Sequence, residues 1–395
     1  MAGTMKCFSR LSLGLFNNNV NRQILLNGNR ALYTETSLGL PEYKNSRASY
    51  QDRYRSSLEA FKEKVTTNVN DEKSLIFTED LKALLHVVEK SPDDINLLKT
   101  ALEKFNSQDN DIRFGTFKFG PVVMRAFHYL NEPNVALETF RNPKFETFYD
   151  QQTTFAILVD LLHENGMYKE VREVYDLIRS KFSSGIRNPK LVISVLALSC
   201  YKENTKESLD FGVKVCKEMI ERGAVPLRKV ITTLGALALK QNAPHIALEL
   251  MSVCRKSDYI SVRTVRAMAL CDLDRLDDIA HDFQITLKRG IPTKNKYFSN
   301  VAPKVEAAIQ RGNISPNAEI CELFELIKAR DFIDEKTLEE HISEPLESSK
   351  GPAQQYQYQE SRGWSQPKRQ PEQWTRTPRG SAEKQEGYNQ RFNNF

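Results

Sequence analysis

Four aspartates, Asp272, Asp274, Asp277 and Asp278, lie close enough in sequence to suggest the carboxylate clusters that hold magnesium in nucleases. On a helix, however, 274 and 278 share a face while 272 stands in the preceding turn, and a metal site needs donors converging from separate elements. The six histidines, His86, His128, His163, His245, His281 and His341, are dispersed; His163 beside Glu164 and His281 beside Asp282 read as surface helix positions. Six cysteines, Cys7, Cys200, Cys216, Cys254, Cys271 and Cys321, are 16 or more residues apart with no CxxC pair, so they read as small core thiols rather than a zinc module or a disulfide frame. There is no glycine-rich phosphate loop. These patterns predict no catalytic centre, no metal, no cofactor and no small-molecule substrate.

The chemistry left is the recognition of phosphate. Lys118, Lys190, Arg228, Lys229, Arg263, Arg266, Lys294 and Lys296 fall at or near the starts of a series of helical segments. Stacked in register they make one cationic stripe, reinforced by helix N-termini that favour anions. The stripe has to be local. Residues 1–33 carry four Lys/Arg and no acid, the last 48 carry eight against four, and the 44 basic and 47 acidic residues between leave the body slightly negative.

The elements that position these residues emerge from a repeat. Phe105, Phe140 and Tyr175 are spaced by 35, and the series continues to Cys216, Met251 and Phe283 at steps of 41, 35 and 32. Each falls in the second helix of a hairpin whose turn is marked by Asn131-Glu132-Pro133, Asn165-Gly166, Gln241-Asn242-Ala243-Pro244 or Asp272 to Arg275. Gly185 to Pro189, Gly223-Ala224-Val225-Pro226 and Gly290-Ile291-Pro292 close second helices with a glycine cap and a proline stop. One hairpin is too small to bury both its faces and must stack on its neighbours, so the fold class is all-α, an α-solenoid of helix-turn-helix repeats over 76–344.

The ends differ in kind. Residues 1–33, basic, acid-poor and amphipathic, suit a mitochondrial transit peptide, the alternative being a disordered start without address. A linker and N-terminal helical segment fills 34–75. From 345 to 395 the chain is rich in Gln, Pro, Arg and aromatics without periodicity, which predicts disorder; it suits either stacking on single-stranded RNA or mere solubilisation. No run of 18 apolar residues occurs, so no membrane insertion is expected.

Thr153 to Ile178, with Thr154-Phe155, Leu158-Val159-Asp160, Asn165-Gly166 and Val174-Tyr175, resembles a pentatricopeptide unit, and Cys271 to Gly290 and Cys216 to Pro226 are similar to unit ends. With KFGP at Lys118 to Pro121 leading into a helix behind a mitochondrial leader, the chain resembles the vertebrate mitochondrial pentatricopeptide repeat-containing protein 2 family over about residues 75 to 335. That resemblance implies a non-enzymatic matrix protein that binds single-stranded mitochondrial RNA, with other RNA-processing proteins as further partners. It also implies a role in RNA maturation on which respiratory-chain function depends. A protein-binding scaffold is the alternative. In such proteins first helices line the binding face, and two or three side chains per unit read a base. The family pattern puts Pro121, Ala156, Ile193, Thr232 and Thr264 at the base-reading position; only Thr232 and Thr264 have the small polar side chain it needs.

Overall fold

The computed structural model describes residues 34–108, 117–181, 189–254, 258–290 and 296–345. Residues 1–33, where a transit peptide is expected, the stretch beyond Pro345, Lys294 and residues 185–188 of the Gly185 to Pro189 linker lie outside them. Three helices, α1 (Glu35–Leu38), α2 (Leu40–Tyr54) and α3 (Leu58–Asn70), precede seven hairpins. First helices are α4 (Thr78–Val87), α6 (Phe119–Leu130), α8 (Gln152–Glu164), α10 (Lys190–Glu203), α12 (Arg228–Lys240), α14 (Ile260–Asp272) and α16 (Val301–Arg311). Second helices are α5 (Pro92–Ser107), α7 (Pro133–Arg141), α9 (Tyr168–Lys181), α11 (Lys206–Glu221), α13 (Pro244–Ser252), α15 (Leu276–Arg289) and α17 (Glu319–Ala329). A short helix, α18 (Leu338–Ser343), follows. A two-residue parallel pair, β1 (Tyr297–Phe298) with β2 (Ile333–Asp334), is the only sheet among the described residues and was not expected from the pattern.

Local sequence explains the hairpins. In the last six, the turn between the two helices contains a left-handed residue: Asn131, Gly166, Asn204, Asn242, Asp274 and Asn313, with φ between 47° and 71°. Glycine, asparagine and aspartate are the residues that enter that region at least cost. Second helices then start on signals that suit an N-terminus. Pro133 and Pro244 open α7 and α13, where a missing N–H leaves nothing unpaired, and Thr205 with Ser208 forms a reciprocal cap on α11. Gly223 and Gly290 take left-handed φ of 77° and 65° just past α11 and α15.

Turns are tied to turns. Asn165 Nδ2 donates to Asn131 Oδ1 at 2.8 Å, Gln241 Nε2 to the carbonyl and side chain of Asn204 at 2.7 Å each, and Arg311 to Asp274 at 2.8 Å.

First helices α4, α6, α8, α10, α12, α14 and α16 pack in succession, each on the next, and the second helices flank them on one side. The repeating residue is the wedge between layers. Phe105, Phe140, Tyr175, Cys216, Met251 and Phe283 are all buried, and Phe324 in α17 continues the series, stacked on Phe283 at 6.1 Å. Burying each of the large apolar side chains contributes roughly 1.5–3 kcal/mol, which no isolated hairpin could collect. KFGP also acquires a reason: a Cβ on Gly120 would stand 2.8 Å from the Phe148 carbonyl oxygen, so glycine lets α6 approach the chain entering α8. Unit-to-unit ion pairs join the second-helix layer, among them Lys99–Glu138 at 2.8 Å and Lys217–Glu249 at 3.2 Å.

Candidate nucleic-acid interface

A binding face on this stack belongs to the side of the first helices turned away from the second helices. Much of that side is already covered by the chain's own ends. The α2 helix lies on α4 and α6, and α1 reaches α8. Tyr43 and Tyr50 stack on His86 at 5.1 and 4.7 Å, the Tyr43 hydroxyl donates to the Leu85 carbonyl at 2.6 Å, and buried Arg47 donates to the His86 carbonyl while lying 4.8 Å from the Tyr129 ring centre. At the other end α18 rests on α12 and α14. A cavity of about 520 Å³ remains beside it, lined in part by Lys240, Asn300, Lys304 and Glu339.

The expected stripe is placed as follows. Lys118 caps the N-terminus of α6, Lys190 opens α10 and Arg228 opens α12, and all three are exposed. Lys118 and Lys190 form no ion pair among the described residues, and Arg228 lies 3.5 Å above the Tyr259 ring. The other described members are engaged internally. Lys229 donates to the carbonyls of His341, at 3.3 Å, and Glu344; burial pushes its pKa down to about 8. Arg263 donates to Thr286 Oγ1 and to the Tyr297 hydroxyl, Arg266 pairs with Asp282 at 3.2 Å, and Lys296 pairs with Asp331 at 2.8 Å. Acids take up Arg266 and Lys296, hydroxyls take up Arg263 and distant carbonyls take up Lys229, which a linear reading of Lys and Arg does not show.

The two base-reading candidates face inward. Thr232 is 1% exposed, with its hydroxyl bonded back to Arg228 and Lys229 carbonyls, and Thr264 is fully buried and accepts the Phe298 amide at 2.9 Å. Their polarity serves the backbone. Residues 230–239 of α12 are buried on every side, so position in a first helix does not confer exposure here.

Three of the four aspartates that suggested a metal cluster are engaged by basic partners: Asp272 holds Lys304 at 2.5 Å, Asp274 holds Arg311, and Asp278 holds Arg275 at 2.6 Å. A different set converges. His128 of α6 meets Asp160 and Glu164 of α8, with Nε2 3.3 Å from Asp160 Oδ2 and 3.5 Å from Glu164 Oε2. Burial opposes charge on His128, but the Asp160 hydrogen bond, the Glu164 and Asp160 charges and Glu35 outweigh it and raise its pKa. Sequence reasoning missed this set because its members are one unit apart; the signal was that Asp160 and Glu164 share a helix face one unit after His128.

No protein-family model matches the chain. Curated proteins do. Over 231 residues it is 29% identical to the mouse (Mus musculus) pentatricopeptide repeat-containing protein 2, mitochondrial, covering 58% of each chain. It is 26% identical over 213 residues to the protein of that name from Danio rerio, covering 54% of each. With the Homo sapiens protein it shares 27% over 231 residues, 58% of this chain and 57% of that one. The chain is similar to these pentatricopeptide repeat proteins. It spans little more than half the length of the curated relatives it matches. The pentatricopeptide likeness agrees with the stacked hairpins, and the inward-facing Thr232 and Thr264 show where this chain uses the pattern for packing. No described helix is long and apolar enough to cross a membrane.

Proposed function

We propose that this chain is a mitochondrial RNA-binding repeat protein of the matrix, acting without catalysis in transcript maturation and so supporting the respiratory chain, and that it holds RNA by its phosphates rather than reading one base per unit. The observation that carries this reading is the placement of Lys118, Lys190 and Arg228. Each sits at the first turn of a first helix in its own unit, exposed, where helix N–H donors add to the side-chain charge. The mitochondrial pentatricopeptide names of the relatives support the compartment and the ligand class. Phosphate grip also accommodates the loss of Thr232 and Thr264 as readers, because backbone contacts need no free polar group on the helix interior.

The test is single-stranded RNA binding at several salt concentrations. Three phosphate contacts predict that log K falls with log salt at a slope of about −2. Lys118→Glu, Lys190→Glu and Arg228→Glu together should remove most of the affinity and flatten the slope; unchanged binding in the triple variant sinks the reading. A second reading, a protein-binding scaffold, is favoured by the internal pairing of Arg263, Arg266 and Lys296. It wins if the wild-type chain shows no salt-dependent RNA affinity at all.

A further inference from the structure

His128, Asp160 and Glu164 join two neighbouring units at one point, and their geometry fits more than an ion pair. One ligand atom from each lies within 4.8 Å of the others. In a tetrahedral site with donors about 2.0–2.2 Å from the ion, neighbouring donors stand roughly 3.3–3.6 Å apart. The two separations measured from His128 Nε2, 3.3 and 3.5 Å, are of that size, so an ion could enter with little movement of α6 or α8.

A second observation points the same way. Asp160 is 1% exposed, and while its Oδ2 faces His128, its Oδ1 has no hydrogen-bond partner among the described residues. A buried carboxylate oxygen left without a donor is destabilising, and a cation would offset that cost. Charge agrees: Glu35 of α1, itself paired with Lys44 at 2.7 Å, adds a third carboxylate to the neighbourhood. Glu164 is partly exposed, which gives an ion a way in.

We propose that His128, Asp160 and Glu164 form a binding site for a first-row divalent cation of the zinc type, which clamps α6 to α8. One imidazole and two carboxylates are hard-to-borderline donors, suited to Zn²⁺ and less to the softer ions that thiolates select. Three protein donors leave a fourth position to water. The site lies beneath α1, so ion binding also fixes the surface on which the N-terminal helices dock. This inference does not depend on RNA binding.

Zinc titration of the metal-stripped full-length chain by calorimetry tests it, with Mn²⁺ in a parallel arm. One Zn²⁺ per chain is expected, with affinity falling at least tenfold in Asp160→Asn and in His128→Gln, and Zn²⁺ raising the melting temperature of the wild type but of neither variant. Glu164→Gln, at the partly exposed ligand, serves as the variant least able to disturb folding, and it should weaken binding too. If folded variants bind Zn²⁺ as the wild type does, the ion sits elsewhere. If the wild type binds none, the three residues are an ion pair between units and the proposal fails.

Discussion

Arg125 of α6 donates through Nε to the carbonyl oxygen of Leu38 at 2.8 Å, and so fastens the turn between α1 and α2 to the first-helix layer. Gly39 makes the approach possible. Its φ is +71°, and a Cβ there would stand 2.8 Å from the Arg125 guanidinium. Arg125→Ala should therefore cost about 1.5–3 kcal/mol, the worth of a charged hydrogen bond, and Gly39→Val should cost at least as much through its strained backbone. Hydrogen exchange over residues 35–54 is the readout. Both variants should exchange faster there while residues 260–289 stay protected.

Gly120→Ala pits two effects against each other. Alanine gains up to about 1 kcal/mol of helix propensity, but overpacking against the Phe148 carbonyl costs about 1–3 kcal/mol. Packing should win, with net loss on the order of 1 kcal/mol and a larger loss for Gly120→Val. Denaturant midpoints measure both; a stabilised Gly120→Ala would show that the two units can move apart freely.

Thr264→Val leaves the buried Phe298 amide without its acceptor and should destabilise the chain by about 1–3 kcal/mol. RNA affinity and base preference, compared at a temperature where both proteins are folded, should not change. A shift in base preference would restore Thr264 as a reader.

The docking of α18 should weaken in acid. His341 stacks near Phe298 at 5.0 Å, and burial, then Lys229 and Lys336, lower its pKa, with Glu344 pulling the other way. A histidine whose folded pKa lies below its unfolded value binds fewer protons when folded, so stability rises as pH climbs through the window between the two values and is lost as pH falls through it. Exchange-corrected protection of residues 338–343 should therefore drop from pH 7.5 to 5.5. In His341→Asn the drop should be smaller, and an equal drop in both proteins would place the titrating group elsewhere.

How much of this was legible follows from what each signal depends on. The spacing from Phe105 to Phe283 is set by layer packing, and every member is buried as a wedge, so periodicity sufficed for the repeat. Left-handed turns were legible for the same reason at Asn131, Gly166 and Asn242, where local chemistry decides the conformation. The interface was less so. Lys229 reads as a free cation until the chain returns more than a hundred residues later to place the His341 and Glu344 carbonyls on it. Thr232 and Thr264 read as exposed because the pattern assumes an open helix face. The contact of α2 with α4 and α6 leaves no period in the sequence, since it is made once.

The bonded turns set a rule for where chain length can vary. Asn165 must reach Asn131, and Gln241 must reach Asn204, so a residue gained or lost between the paired helices would break a rung and misalign every later one. The spacing from one hairpin to the next is less constant. Helices α9, α11 and α13 start at 168, 206 and 244, each 16 residues after the start of their own first helix (152, 190 and 228), whereas the step from α7 at 133 to α9 is 35 and the next two are 38, so the variation falls between hairpins. Insertions and deletions among descendants of this chain should accumulate at those joints, leaving the turns as its fixed ruler.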